Sequence, residues 1–127
     1  MITALAAFAA WLHAGLTALV VAFQIALILG APWGHLTMGG RQPGALDGTG
    51  RILAAVSAGL VVAISLAVLS AAGIGLSWPR WTLWVAVAVA SLSVLANAAT
   101  RSAPERRLWL PVVLVMLGCT LAVAFTT

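Results

Sequence analysis

Residues 52–78 of the chain, ILAAVSAGLVVAISLAVLSAAGIGLSW, contain no Asp, Glu, Lys or Arg. An α-helix rises about 1.5 Å per residue, so about 20 apolar residues are enough to cross the hydrocarbon core of a bilayer. Three further stretches, residues 2–40, 81–100 and 108–127, meet the same requirement. The sequence therefore predicts an all-α fold, a four-transmembrane-helix bundle that is integral to a membrane.

The composition supports lipid as the main solvent of the chain. Hydrophobic residues make up 64% of it and charged residues 6%, whereas a soluble domain is about 25% charged. With 127 residues divided among four spans, we expect a single membrane domain and no catalysis in a soluble head. The first apolar stretch lacks a basic leader region and exceeds the roughly 7–15 apolar residues of a signal peptide, so we expect a retained span.

Cap and breaker residues set the expected ends of the helices. Thr49 can cap the second helix by accepting a hydrogen bond from a backbone N–H of its first turn. Ser102 followed by Glu105 matches a capping box, so a helix should begin there, and Pro111 then requires either a kink or a short interfacial turn before the span. The expected helices cover about residues 3–29, 51–72, 79–99 and 108–126, with a glycine-rich connection at 31–50.

The arginines predict lipid contacts and an orientation. The chain has six arginines, no lysine and a net charge of +4, but the arginines are dispersed, so membrane lipids are expected partners and nucleic acid is not. Short loops rich in arginine stay on the cytoplasmic side. We therefore expect a bacterial cytoplasmic (inner) membrane protein with connections one and three cytoplasmic and both termini outside. The first and third connections carry five arginines and the second carries one: Arg41, Arg51, Arg101, Arg106 and Arg107, against Arg80.

His13, Thr17 and Gln24 are predicted to form a polar stripe on the first helix that faces the bundle interior. At about 100° per residue, Thr17 lies roughly 40° and Gln24 roughly 20° from His13 around the axis. Polar residues inside a membrane often mark function, and the stripe could be the polar path of a transporter or channel. The alternative is interhelical hydrogen bonding, which we favour because no second His, Asp or Glu lies at membrane depth.

A haem or a metal ion at His13 is the cofactor that the sequence allows. Neutral imidazole is a common ligand, and Met116 and Cys119, one turn apart on the last helix, could add soft ligands opposite it. Met and Cys at helical spacing belong more often to a packed core. We therefore expect no bound metal, and we expect Cys119 to be a small buried hydrophobe.

The segment GAPWGHLTMGGR, residues 30–41, is the candidate ligand site outside the helices. Consecutive N–H groups at Gly39 and Gly40 can form an anion-binding nest, and Arg41, with His35 nearby, could bind a phosphate or carboxylate such as a lipid headgroup. The alternative is that the glycines only let the chain turn close to the membrane. The segment is not a nucleotide-binding loop, because it lacks a preceding strand and a Gly-Lys-Ser/Thr sequence.

Asn97 and Arg101 form a polar pair on one face at the end of the third helix. Arg101 could pair with Glu105 or reach a lipid phosphate, and Asn97 could donate to a neighbouring helix, so a structural role is favoured. The sequence has no paired carboxylates, no Ser-His-Asp set and no His-rich metal motif. We therefore expect that the protein is not an enzyme.

Two connections and the adjoining helix ends carry a distinctive set of residues: GAPWGH at 30–35, GG at 39–40, PG at 43–44, NAATRS at 97–102, ER at 105–106 and Trp109. In these residues the chain resembles a set of short four-helix membrane proteins from bacteria, particularly from high-GC genomes. The resemblance implies a membrane bundle and brings no known activity.

The leading functional hypothesis is a non-enzymatic accessory protein. It would bind a lipid or another ligand, form a homo-oligomer, or serve as a subunit of a membrane protein complex. The alternatives are a small transporter or channel and a haem- or metal-binding redox protein.

Overall fold

A computed structural model describes residues 2–127, and within that range the protein is all-helical. The four long helices alternate in direction and pack as a bundle, which confirms the predicted fold. The connection after the first helix adds two short 3-10 turns, Gly34–Leu36 and Met38–Gly40. The long helices are α1 (Ile2–Ile28), α2 (Gly48–Ala71), α3 (Trp81–Ala99) and α4 (Ala103–Thr126).

All four helices are long and apolar enough to cross a membrane. Large apolar side chains cover much of the outer surface: Phe8 and Ile52 are each 66% exposed, and Phe125 is 76% exposed. Such a surface is stable against hydrocarbon and would be costly in water. The chain is therefore a small multi-pass membrane protein.

Helix α2 begins at Gly48, earlier than the predicted residue 51. Its N-cap is Asp47, whose carboxylate oxygen Oδ1 accepts a hydrogen bond from Gly50 N–H at 2.7 Å. The prediction of Thr49 as the cap was wrong, because Asp47 supplies the stronger charge-assisted acceptor and draws Thr49 into the first turn of the helix.

Helix α4 begins at Ala103, directly after the capping-box serine, and continues through Pro111. The Ser102 hydroxyl accepts from Glu105 N–H at 3.3 Å, which is half of the capping box. The Glu105 carboxylate does not complete the box, because it accepts from Gly39 N–H instead. Of the two alternatives at Pro111, the structure has no separate interfacial turn.

The bundle has two unlike ends. We call the end where Ile28, Gly48, Ala99 and Ala103 lie the connection end, and the opposite end, near Thr126, the termini end. Helix α1 packs extensively against α2 and α4, and α3 packs extensively against α4, whereas α2 and α3 contact each other less. The buried residues that join α2 and α3 lie at the termini end. A tightly packed core of mostly small residues fills that end: Ala9, Ala10, Ile64, Val68, Leu83, Ala86, Cys119, Val123 and Ala124.

The connection end is closed differently, by the first connection folding back over it. Leu27, Leu46 and Ala54 form a second, smaller apolar cluster beneath this connection. The Arg51 guanidinium also donates to the carbonyl of Leu46 at 2.9 Å. The glycine-rich connection is therefore an ordered cover over the helix ends.

Candidate functional site

A cavity of about 760 Å³ lies between the four helices and beneath the first connection. Binding sites for small molecules are usually about 300–1,000 Å³. Leu53 and Leu60 of α2 line the cavity and are each 51% exposed, and Ala96 of α3 lines it from an exposed position. The cavity therefore opens sideways, between the first half of α2 and the second half of α3.

The lining of the cavity changes character along the bundle axis. The deeper part is mostly aliphatic, with Val20, Val61, Ile64, Val89, Val113 and Met116, and ends at His13. His13 and Gln24 are eleven positions apart on α1, which corresponds to about 16 Å along the helix axis. Polar side chains lie toward the connection end: Gln24, Thr37, Arg41, Gln42, Ser57, Ser93, Asn97, Thr100 and Glu105.

The polar stripe of α1 is buried in the bundle. His13, Thr17 and Gln24 are 1%, 5% and 9% exposed. The Thr17 hydroxyl lies 3.4 Å from His13 Nδ1, and the Gln24 amide nitrogen donates to the Ser57 hydroxyl at 3.3 Å. His13 and Gln24 line the cavity, so two members of the stripe can meet a ligand.

The Gln24 side-chain carbonyl is the exceptional group of the site. Its oxygen Oε1 is enclosed and accepts no hydrogen bond from the described residues. Leaving such an acceptor unpaired costs about 1–3 kcal/mol. Gln24 also lines the cavity, so this unpaired acceptor belongs to the cavity wall.

The first connection is fastened to the start of α4. The Trp109 indole N–H donates to the carbonyl of Leu36 at 2.9 Å, and the Ser102 hydroxyl donates to the carbonyl of His35. The Trp109 ring also packs edge-on against Phe23 of α1, with ring centroids 4.8 Å apart. These contacts hold the two 3-10 turns over the polar part of the cavity at the connection end, which we call the head of the cavity.

The structure revises the predicted anion nest at Gly39 and Gly40. Gly39 N–H donates to Glu105 Oε2 at 3.0 Å, and Gly40 N–H donates to the carbonyl of Thr37 at 2.9 Å. The anion at Gly39 is thus the protein's own carboxylate, and an external anion would have to displace it, while the N–H of Gly40 is used within the turn. Arg41 is exposed at the rim of the cavity, while the half-buried His35 lies outside the lining.

The polar pair at the end of α3 also differs from expectation. The Asn97 amide nitrogen donates to the carbonyl of Ser93 in its own helix at 2.8 Å, and not to a neighbouring helix. Arg101 is exposed, and the Glu105 carboxylate, one of the two partners suggested for it, is bonded to Gly39. Asn97 lines the cavity, and this places it with Gln24 and Glu105 in the polar head region.

The three residues suggested as metal ligands are split between two regions. His13 and Met116 line the cavity, whereas Cys119 belongs to the core cluster at the termini end. Within residues 2–127, no three His, Cys, Asp or Glu side chains come together in a way that could hold a metal ion.

Sequence reasoning missed Glu105 as a cavity residue and assigned it to a helix cap or to a pair with Arg101. The signal that could have found it is the length of the glycine-rich connection, which is enough to fold back onto the start of α4. No protein-family model, curated protein or solved structure matches this chain. A proposal for the function of this protein is therefore based on the geometry of the cavity.

Proposed function

We propose that this small multi-pass membrane protein binds an amphipathic lipid in its interhelical cavity and acts without catalysis. The observation that carries the proposal is the polarity gradient of the lining, which is aliphatic in the deeper part and polar at the connection end. A lipid has the same gradient. An acyl chain would lie along the deeper part, over a depth of about 16 Å, with its headgroup under the first connection.

The sideways opening supports a ligand that comes from the bilayer. Leu53, Leu60 and Ala96 border the gap between α2 and α3, and all three are exposed to the surroundings of the bundle. A lipid chain can move from the bilayer into the cavity through such a gap without being exposed to water, which would be unfavourable for an apolar chain. A second chain of the same lipid can stay in the bilayer.

The closed termini end favours binding over the alternative of a transporter or channel. A solute moving past His13 would meet Ala10, Val68, Leu83 and Val123, each of which is 0% exposed. Interiors packed in this way leave few voids as large as a water molecule. In this conformation the cavity therefore ends blindly, as a binding site does.

We also propose that the connection end faces the cytoplasm of a bacterial inner membrane. Arg41, Arg51 and the three arginines near the start of α4 belong to this end, and Arg80 belongs to the other. A reporter enzyme that is active only outside the cytoplasm should then be active when it is fused after Thr127. Activity of a cytoplasm-specific reporter at that position would reverse the assignment.

The lipid-binding proposal is tested with two valine variants on the same helix. Val61 lines the cavity, whereas its neighbour Val62 is exposed on the outer surface. Val61→Phe fills the cavity and should remove most of the lipid that remains bound after mild detergent purification, as measured by native mass spectrometry. Val62→Phe adds the same bulk outside and should leave the bound lipid unchanged. Equal lipid retention by both variants would refute the proposal.

A further inference from the structure

Three groups at the head of the cavity have bonding capacity that the protein does not use. Gln24 Oε1 is a buried acceptor with no donor among residues 2–127. Glu105 is 7% exposed and lines the same cavity. Arg41 is exposed at the rim of the cavity, where its guanidinium can reach a bound headgroup.

The Glu105 carboxylate is the only acidic group in this region of the cavity lining. Glu105 lies in the first turn of α4, and its carboxylate accepts a 3.0 Å hydrogen bond from Gly39 N–H. A carboxylate has about four acceptor sites, and a single N–H occupies one of them. A buried negative charge is costly unless a cation accompanies it.

Gln24 and Glu105 belong to two helices that an aromatic contact joins. Each is close in sequence to one partner of the edge-on pair of Phe23 and Trp109, and this pair brings α1 and α4 together. Both aromatic residues line the cavity.

Building on the proposed function, we infer that the cavity selects lipids whose head carries a primary ammonium group next to a phosphate, as in phosphoethanolamine. The ammonium group donates to Glu105 and to Gln24 Oε1 and supplies the positive charge that the carboxylate lacks. The phosphate lies farther out, where Arg41 can bind it through paired N–H donors.

Three common headgroups separate these contributions. Ethanolamine combines positive charge with N–H donors, choline keeps the charge without N–H donors, and glycerol offers hydroxyl donors without the charge. Losing a hydrogen bond to a charged group weakens binding by about tenfold or more. We therefore expect about tenfold preference for the ethanolamine lipid over the other two when the acyl chains are identical.

The experiment offers the delipidated protein an equimolar mixture of these three lipids and counts bound lipids by native mass spectrometry. Glu105→Gln keeps an oxygen for Gly39 N–H but loses the charge, so it should abolish the preference for ethanolamine over glycerol. Gln24→Met should reduce the preference for ethanolamine over choline. Arg41→Gln should weaken all three about equally, and Arg101→Gln, at an exposed position outside the cavity, should change nothing.

The possible results separate this inference from the proposed function. Equal binding of the three lipids by the unmodified protein, or preference for the glycerol lipid, would overturn the headgroup assignment while lipid binding stands. An ethanolamine preference that survives both Glu105→Gln and Gln24→Met would overturn it as well. If no lipid binds, and Val61→Phe behaves like Val62→Phe, the proposed function itself fails.

Discussion

Replacement of Gln24 by methionine should make the lipid-free protein more stable. The variant loses the 3.3 Å hydrogen bond from the Gln24 amide to Ser57, and such bonds inside membrane proteins contribute about 0.6 kcal/mol on average. It also removes the unpaired carbonyl oxygen, whose burial costs about 1–3 kcal/mol. Methionine has a similar length and adapts to irregular space. The expected net gain is about 1 kcal/mol.

Lipid should reverse this order. A ligand at about 100 times its dissociation constant stabilises the folded state by about 2.7 kcal/mol, and a tenfold loss of affinity removes about 1.3 kcal/mol of that. The unmodified protein should therefore gain more from an ethanolamine lipid than Gln24→Met does. A residue that serves only packing would give the same order of stability with and without lipid.

The assay is unfolding in detergent, followed by circular dichroism, of delipidated protein with and without added lipid. Ser57→Ala is the matched control. It removes the hydroxyl that pairs with Gln24 and leaves the carbonyl in place, so it should lower stability in both conditions. If lipid-free Gln24→Met unfolds more easily than the unmodified protein, the unpaired Gln24 carbonyl does not destabilise the folded state, and the reasoning is wrong.

Three further variants test the parts of the fold that shape the cavity. Gly34→Ala would place a Cβ 1.5 Å from the backbone oxygen of Gln42, so it should cost about 1–3 kcal/mol in thermal unfolding, whereas Gly44→Ala, with open space at its Cβ, should be nearly neutral. Trp109→Phe removes the N–H that fastens the first connection, and hydrogen exchange in that connection should accelerate while the bundle stays folded. Leu83→Ala empties a fully buried site at the termini end and should cost about 2–5 kcal/mol while the lipid preference is kept; a changed preference would show that the two ends are coupled.

The fold could be predicted because it depends on a property that is local in sequence. Each uncharged stretch is long enough to cross a bilayer, whatever the rest of the chain does. The ends of the helices were harder to predict, because neighbouring residues compete for the same backbone N–H groups. Asp47 and Thr49 are both good caps two positions apart, and the charged acceptor decided the outcome.

The site could be predicted only in part. Helical geometry was sufficient to place His13, Thr17 and Gln24 on one buried face. It could not show that the Gln24 carbonyl has no donor, because this depends on which residues of three other helices approach it. The bond between Gly39 and Glu105 joins residues far apart in sequence, and its formation depends on the connection folding back onto α4. Local cap rules assigned the Glu105 carboxylate to Ser102 because those rules contain no tertiary partner.

The unequal packing of the two ends gives the cavity a physical basis. Small residues let the helices approach closely at the termini end, where van der Waals contact supplies most of the association between membrane helices. At the connection end, α2 and α3 lack such contact, and the first connection holds the structure through Glu105, Trp109 and the cluster around Leu46. In the gap between α2 and α3, the side chains of these two helices therefore do not pack against each other. A lipid lying there would supply the packing that these two helices do not give each other, together with the donor that Gln24 lacks.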